Sequence, residues 1–475
     1  MRVLIGGSTH GLDDARRVVD RLSGVPGRAG TAELFSPDRD VLVVRAPGLV
    51  TLGGALGARV GGPSLHWPLG AGVFVAAQSQ EAPVLRVARF APGLDRVTAS
   101  LELPLSHFTT RAGPVPYGVV RDFVHRHEDR LWAARTLGAL LVLMHERDHR
   151  AEDGVTLAVV GSGAGLSAPE LGPAESVALL RALTLVCRLP ADAADLASLA
   201  CASDARMLGA IEPLATYTAA VRAIPGAGLF VDAGPAPRTA LLHWPAGLHL
   251  TVLEIDTMPG PLPLAAAHVA LDAGEARCAA ALAPVVPAGG VLATCTPERF
   301  QTEWAHQLPE WLAGSEIRAT AGASVGETPD GQRPEIDDAR RYPVRAIARL
   351  AVADADRLQT LGTLLEGGGP HRDAQLAALC AESWAEHAAL GLVPDAVADA
   401  VQATRPALAA AGGLAVLDAA PGAAPRLAVV EHSPDATAAT LLAEAVGQAM
   451  ACRVACHEGT SPGLLRFGTL RLRAA

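Results

Sequence analysis

The stretch from Val41 to Gln80 constrains the fold of this chain more than any other part of it. Strand-like apolar runs at Val41–Ala46 and Val73–Ala77 flank a glycine-rich segment, and the whole stretch contains no aspartate or glutamate. Alternating apolar runs bounded by glycine and proline are typical of paired strands. The charged side chains of the stretch are the arginines Arg45 and Arg59. The stretch itself therefore supplies no carboxylate for any chemistry.

Length and composition limit the class of protein. The chain has 475 residues, which is too long for one compact core and fits two domains of about 200 residues each. Its formal net charge of −10 argues against a general nucleic-acid binder, which needs a basic face. No apolar run approaches the ~20 residues of a membrane span, and the first residues do not read as a signal peptide. The seven cysteines lack paired C-x-x-C spacing, so we expect free thiols and a cytoplasmic protein.

Strand-like and helix-like segments follow one another along the chain. Helical periodicity predicts one long helix from Tyr117 to Arg150, and a second helix, Ala174–Val186, after the strand Gly154–Val160. Further predicted elements are the helices Ala191–Ala210, Pro263–Ala283, Val344–Gly367, Arg372–Leu390 and Asp395–Ala411 and the strands Val84–Phe90, Leu229–Asp232, His249–Ile255, Gly413–Leu417, Arg426–Val430 and Gly468–Leu472. This mixture is typical of an α+β or α/β fold. The Pro/Gly-rich stretch Pro225–Gly247 is the candidate domain boundary.

The segment His145–His149 matches the H-E-x-x-H pattern inside the first predicted helix. On a helix, a spacing of four residues places both imidazoles on one face, which is the zinc-binding geometry of metalloproteases, with Glu146 as the base. A zinc hydrolase is therefore one alternative function. Against it, the charged residues that follow indicate an exposed helix end, where the helix dipole favours histidine without any metal.

Four motifs, in order along the chain, resemble the GHMP kinases, in particular their galactokinase and L-arabinokinase branch. They are Arg45–Gly48 with Gly53, Gly54 and His66–Pro68, then Gly154–Ala168 with Ala174–Leu183, then Tyr342–Ala346, and last Glu458–Gly463 with Phe467–Arg471. In that family the first motif contains carboxylates that contact a sugar. The second motif consists of a strand, a phosphate-binding glycine-rich turn and a helix. The resemblance spans most of residues 40 to 475.

The resemblance implies an α+β, two-domain GHMP-kinase fold. Residues 1–40 would form an N-terminal extension, residues 41–227 a β-α-β domain with the phosphate loop, and residues 228–475 a ferredoxin-like C-terminal domain. The cofactors of the family, ATP and Mg²⁺, are implied for this chain if its phosphate loop still functions. A sugar or a nucleotide is the implied small-molecule partner, and neither nucleic acid nor a membrane is expected.

A phosphate loop needs backbone N–H groups at a helix N-terminus, where the dipole favours anions. The resemblance assigns cofactor binding to Gly161, Ser162, Gly163, Gly165, Ser167 and Glu175. Pro169 and Pro173 then remove two amide donors, and the helix is expected to resume only at Ala174. A tight strand-to-helix turn with no ligand is the alternative, since a glycine-rich loop alone is weak evidence.

The sugar and proton-acceptor positions of the family carry different residues here. The resemblance points to Arg45, Glu212 and Thr216 as catalytic and to Arg59, His66 and Tyr217 as substrate-binding. Thr216 and Tyr217 stand where the family has its catalytic Asp-Gln pair, and Glu212 is the nearest carboxylate, about one helical turn away. Because the pKa of a threonine hydroxyl lies far above neutral, Thr216 cannot act as a general base near pH 7.

The altered positions cluster where the family contacts reacting atoms, while the positions that set the fold remain. We therefore expect a pseudokinase that binds a sugar or a nucleotide with little or no phosphoryl transfer, and that pairs with a protein partner or a second copy of itself. An active ATP-dependent monosaccharide 1-kinase is the alternative. It would need Glu170, Glu175 or Glu212, together with an arginine, in relocated roles.

Overall fold

This computed structural model describes residues 2–5, 13–23, 34–91, 96–150, 153–162, 168–209, 212–232, 238–282, 290–321, 336–367, 371–419 and 425–473. The strands are β1 Arg2–Ile5, β2 Val41–Gly53, β3 Pro63–Gln80, β4 Val84–Phe90, β5 Val97–Pro104, β6 Thr109–Thr110, β7 Gly113–Pro114, β8 Gly154–Ser162, β9 Ala227–Asp232, β10 Arg238–His243, β11 His249–Ile255, β12 Leu312–Ala313, β13 Arg341–Tyr342, β14 Gly413–Asp418, β15 Arg426–Glu431, β16 Val454–His457 and β17 Leu470–Arg473. The helices are α1 Asp13–Ser23, α2 Tyr117–His125, α3 Ala134–Glu146, α4 Ala168–Val186, α5 Ala193–Leu208, α6 Leu214–Arg222, α7 Leu264–Leu282, α8 Pro297–Arg299, α9 Gly314–Ala321, α10 Val344–Glu366, α11 Arg372–Ala389, α12 Asp395–Ala410, α13 Thr437–Met450 and α14 Leu464–Phe467.

The long strands β2 and β3 form the centre of a large mixed sheet. Its order is β1-β17-β2-β3-β8-β4-β5, and β9 and β10 extend it from the other end of β3. β3 pairs with β8 along Gly72–Gln80 and with β9 along Pro63–His66. Helix α4 packs on one face of β2 and β3, while Ala15 and Val18 of α1 pack on the other. The central strands are therefore buried on both faces, which explains their near-continuous apolar sequence.

A second, antiparallel sheet has the order β14-β15-β11-β16. Alternate residues of its central strands face opposite sides, as the two-residue repeat of a strand requires. Val252 and Val430 pack with the helices α10 and α11, whereas Leu253 and Val429 pack with α12 and α13. Val50 and Leu52 of β2 belong to the same apolar cluster as α10 and α11. The end of β2 thus packs against the helices that cover the second sheet.

Strands on both sides of residue 227 contribute to the large sheet. β9 and β10 pair with each other and, through β9, with β3, and β17 pairs with β1 and β2. The division at residues 227 and 228 stays a prediction. Across the described ranges, no helix combines the length and the apolar character that crossing a bilayer demands.

The region predicted as one helix from Tyr117 to Arg150 is two helices. α2 ends at His125, a short 3-10 turn covers Glu128–Ala133, and α3 ends at Glu146. The prediction of one long helix is wrong because the polar run around residues 126–130 supplies no apolar side chains at helical spacing.

Helix α4 begins earlier than the sequence predicted. It starts at Ala168 and contains Pro173, whereas the sequence suggested that the helix resumes at Ala174. Pro169 is the second residue of α4, in the first helical turn, where a missing backbone N–H costs little. Pro173 lies deeper in the helix and removes one backbone hydrogen bond there.

Arg45 of β2 connects three distant parts of the chain and is fully buried. Its Nη2 donates to Asp14 Oδ2 of α1 at 2.9 Å, and its Nη1 donates to Ser461 Oγ at 2.7 Å. The guanidinium also lies 5.4 Å from the centre of the Phe74 ring. Burial lowers the pKa of Arg45, and Asp14 opposes that change. The catalytic role suggested for Arg45 stays a prediction, while these contacts hold α1 and the segment of Ser461 against β2.

We expect Arg45→Met to lower the free energy of unfolding by about 3–5 kcal/mol, because it removes a fully buried cation that donates to both Asp14 and Ser461. The measurement is chemical denaturation of both proteins. Arg86→Met is the control, since Arg86 pairs with Glu102 at the surface and should cost less than about 1 kcal/mol. Equal losses in the two variants would contradict the role given to Arg45.

Candidate functional site

β8 runs towards α4, and the segment between them is the predicted phosphate loop. β8 ends at Ser162 and α4 begins at Ala168. Gly161 and Ser162 are strand residues that pair with β3. The other predicted loop residues, Gly163, Gly165 and Ser167, lie outside the described residues. The described part of the site is therefore α4 and the elements packed around it.

An ion pair fixes the carboxylate of Glu175 inside α4. It contacts Nη2 of Arg89, which comes from β4. The glutamate side chain is 7% exposed and the arginine side chain is 29% exposed. The guanidinium therefore lies on the solvent side of the pair. The charge of Glu175, a residue predicted to bind a cofactor, is balanced by a protein group.

Asp204 of α5 is the centre of a buried polar cluster. Its Oδ1 accepts a hydrogen bond from Ser176 Oγ of α4 at 2.7 Å, and its Oδ2 accepts one from the Tyr217 hydroxyl of α6 at 3.0 Å. Arg135 of α3 brings its Nε to 3.4 Å from Asp204 Oδ2. Four successive helices thus converge on one carboxylate. The hydroxyl of Tyr217, a residue predicted to bind the substrate, donates its hydrogen bond to Asp204 inside this cluster.

Electrostatic coupling holds this cluster together. Burial raises the pKa of Asp204, and Arg135 and two hydrogen bonds oppose that rise. Burial, followed by the charge of Asp204, raises the pKa of Tyr217 well above its ordinary value. Burial works against the charge of Arg135, but Asp204 and Glu175 outweigh it and raise the pKa of that guanidinium. Arg135 is therefore a fixed cation shared between two carboxylates.

Glu212 and Thr216 lie at the start of α6, next to the cluster. Thr216 is the third residue of the helix and is nearly buried. Glu212 is half-buried, and burial followed by the charge of Asp204 raises its pKa. Arg135 and Arg59 oppose that rise. Within the described ranges no ion pair involves Glu212, and a carboxyl with a raised pKa is closer to the range in which a general base works at neutral pH.

Arg59 joins the turn after β2 to helix α7. It bonds Asp272 through Nε at 2.8 Å and through Nη2 at 2.6 Å. Its Nη1 is buried and has no hydrogen-bond partner among the residues that the structure describes. Burial, followed by the charge of Arg59, lowers the pKa of His268 in the same helix to about 3. Arg59, predicted to bind the substrate, therefore anchors α7. Its Nη1 still has no hydrogen-bond acceptor among the described residues.

His66 lies inside the large sheet, on β3. Its Nδ1 is 3.2 Å from Thr51 Oγ1, and its Nε2 is 2.8 Å from Ser64 Oγ. Burial lowers the pKa of His66 to about 4, so the ring is neutral near pH 7. The substrate-binding role suggested for His66 stays a prediction, since both ring nitrogens already have partners in the sheet.

The structure brings some of the predicted site residues together and separates others. Glu175, Tyr217 and Glu212 gather around Asp204, because α4, α5 and α6 pack against one another beside β2 and β3. Arg45 and His66 belong to other buried clusters of β2 and β3.

The side chains around Asp204 do not fit a Mg²⁺ ion. Mg²⁺ takes oxygen ligands in a near-octahedral shell about 2.0–2.1 Å away. The carboxylates beside α4, Glu175 and Asp204, are paired instead with Arg89 and Arg135. In the part of the chain that the structure describes, no three or more His, Cys, Asp or Glu side chains are arranged to hold a metal ion.

The H-E-x-x-H segment lacks the geometry that a zinc site requires. α3 ends at Glu146, so His149 lies beyond the helix and the two imidazoles do not share a helical face. His145 stacks on the ring of Tyr117 at 4.7 Å, and Glu146 pairs with Arg206. The prediction that both histidines share one helix face is wrong, because the helix ends three residues before the second histidine.

A second polar cluster lines a narrow cavity between Thr51–Ala55, α10, α11 and the end of β14. His387 of α11 lies between two carboxylates, with Nδ1 3.0 Å from Asp418 Oδ2 and Nε2 3.2 Å from Asp354 Oδ2. Burial alone would lower the pKa of His387, but the two carboxylates outweigh it and raise the pKa to about 10. His387 is therefore an imidazolium that ties α10 and α11 to β14.

We expect the free energy of unfolding to fall by a few kcal/mol, on the order of 2–4, as pH rises from about 7 to about 10. The native pKa of His387 lies above its unfolded value, so its contribution is fully present below pH 6.5 and is lost as pH approaches 10. The measurement is chemical denaturation across this range.

His387→Gln should flatten the pH dependence, and His432→Gln is the matched control because His432 pairs with Asp373 at the surface. A slope that His387→Gln leaves unchanged would contradict the imidazolium bridge.

The sequence was also compared with those of known proteins. No protein-family model matches the chain. An L-arabinokinase from Arabidopsis thaliana is 25% identical over 410 residues, which cover 74% of this chain and 38% of that protein. The chain therefore spans well under half the length of this relative.

Solved structures were compared with the fold, and a galactokinase resembles most of the chain. The crystal structure of Lactococcus lactis galactokinase complexed with galactose matches with a TM-score of 0.66 and 13% identity, over 93% of this chain and 97% of that chain. L. major mevalonate kinase in complex with R-mevalonate matches with a TM-score of 0.49 and 13% identity, over 91% of this chain and 97% of that chain. The resemblance that the four motifs indicated is confirmed, and the chain has the α+β fold of the GHMP kinases.

The sequence did not reveal the arginines and the aspartate that organise the site. Arg89, Arg135 and Asp204 carry no motif of their own. One signal was available, because Asp204 is an acid on the mainly apolar face of α5 that includes Leu196 and Met207. A lone acid on a buried helix face needs a partner, and that requirement could have directed attention to it.

Proposed function

We propose that this chain, which has the fold of the GHMP kinases, binds a sugar or a nucleotide beside α4 and α6 and transfers little or no phosphoryl group. Its role is then that of a binding or regulatory module, pairing with a protein partner or with a second copy of itself. The division into an N-terminal phosphate-loop domain and a C-terminal domain belongs to the same proposal.

The main support for this proposal is that the carboxylates of Glu175 and Asp204 are paired with arginines. Phosphoryl transfer to an alcohol needs a group that accepts the hydroxyl proton and a cation that neutralises the developing charge. Thr216 occupies the position that the resemblance assigns to the proton acceptor, and Glu175 and Asp204 are paired with arginines. Among these residues, no side chain is available to accept the proton, and no carboxylate is available to hold a divalent cation.

An active monosaccharide 1-kinase is the second candidate, and Glu212 favours it. Its pKa is raised, and within the described ranges no ion pair neutralises it. The similar proteins include an L-arabinokinase and a galactokinase, which suggests L-arabinose and galactose as trial substrates.

We expect calorimetry of the full chain to detect binding of ATP, L-arabinose or galactose, while a labelled-phosphate assay with ATP and either sugar stays at background. The physical reason is that positioning remains but a proton acceptor is missing. Turnover well above background would overturn the binding-only proposal.

Glu212→Gln distinguishes the two candidates. If turnover is present and Glu212→Gln removes it, by about a hundredfold or more, the active kinase is supported. Glu310→Gln is the matched control, because Glu310 is an exposed carboxylate outside the site. If the chain bound none of ATP, L-arabinose and galactose, both the binding-only module and the active kinase would be contradicted.

A further inference from the structure

Around α4, the buried carboxylates of Asp204 and Glu175 are each paired with a more exposed arginine. The side chains of Asp204 and Glu175 are 2% and 7% exposed, whereas those of Arg135 and Arg89 are 20% and 29% exposed. A ligand that approaches α4 therefore meets guanidinium groups before it meets carboxylates. This layering is the reverse of what a hard dication requires, since Mg²⁺ binds through exposed oxygen ligands.

We infer that this site binds the phosphates of a nucleotide through Arg135 and Arg89 without a divalent cation. The inference rests on the proposed nucleotide binding and names the chemistry of the ligand, a free polyphosphate anion instead of its magnesium complex. Guanidinium groups suit this task because they stay charged and present planar pairs of N–H donors to phosphate oxygens. The chain has no lysine that could serve in their place.

The position of Arg135 supports this reading. A Cβ atom on Gly172 would lie 2.5 Å from Nη2 of Arg135, so the absence of a side chain at Gly172 lets the guanidinium lie against the first turns of α4. A cation near a helix N-terminus opposes the helix dipole unless anions compensate it. Asp204 and Glu175 supply that compensation, and a bound polyphosphate would add to it.

Arg89 and Arg59 each have a buried donor nitrogen with no acceptor among the described residues. The Nε of Arg89 and the Nη1 of Arg59 are buried and have no hydrogen-bond partner within the described ranges. Arg59 lies within electrostatic range of Glu212, beside the same cluster. A buried N–H group without an acceptor is destabilising, and phosphate oxygens are acceptors of the required charge.

The test is calorimetry of the full chain with ATP, first in excess EDTA and then in excess Mg²⁺. We expect the Kd in EDTA to be equal to that in Mg²⁺ within about threefold, or lower, because the free anion carries more charge to the arginines. Inorganic tripolyphosphate in EDTA should also bind, which would show that phosphate is the recognised group. Binding of ATP in Mg²⁺ alone would overturn this inference and leave the proposed function intact.

Glu175→Gln gives a test of opposite sign. It removes a negative charge beside Arg89 and should tighten ATP binding in EDTA by about threefold to tenfold. If Glu175 instead held Mg²⁺, the same substitution would weaken binding in Mg²⁺. Weakening would therefore overturn the inference.

Arg135→Gln should weaken ATP binding in EDTA by about tenfold or more. Because that change leaves Asp204 unpaired, the double variant Arg135→Gln/Asp204→Asn keeps the interior balanced and should lose the same affinity. Arg206→Gln is the matched control, since Arg206 pairs with Glu146 away from the site. Unchanged affinity in a folded double variant would overturn the inference. If the chain binds sugars but no polyphosphate, this inference is overturned, whereas the proposed sugar binding is supported.

Discussion

The pairing of β2 with β3 is the constraint on which the rest of the structure depends. These strands are hydrogen-bonded over most of their length, with irregularities between Pro47 and Leu49 and between Thr51 and Gly53. The first parts of β2 and the last parts of β3 lie in the large sheet under α4, and the other ends reach α10 and α11. A close approach makes this possible, because a Cβ atom on Gly72 would lie 2.4 Å from a backbone oxygen of β2. One strand pair therefore links the large sheet under α4 to the helices α10 and α11.

Buried charges in this molecule are balanced locally. Arg59 pairs with Asp272, Arg135 with Asp204, and His387 with two carboxylates. Removing charge from water costs several kcal/mol per ion in a protein interior, and a close partner recovers much of that cost. The same balance limits chemistry, since a carboxylate that is committed to an arginine is a poor proton acceptor and a poor metal ligand. Stability and reactivity compete for the same side chains.

Much of the fold could be predicted from the sequence, because the spacing of apolar residues indicates which side chains are buried and glycines mark turns. β4 and β11 have the predicted bounds, and the ordered motifs identified the fold. The break between α2 and α3 and the early start of α4 were missed, because each depends on what packs against the helix rather than on its own residues. At the site, Glu175 and Glu212 could be proposed from their place in the motifs. Their arginine partners come from β4 and α3, and such long-range pairs leave no mark in a single sequence.

Strand β17 lies between β1 and β2, so residues Leu470–Arg473 complete a sheet that Val41 begins. Until those last strand residues have been synthesised, the edge of β2 has unpaired N–H and C=O groups, a state that invites pairing with other chains. The first half of the chain cannot finish folding as it leaves the ribosome. Long-range strand pairing of this kind slows folding, so the edge of β2 stays open to wrong pairing until Leu470–Arg473 are in place.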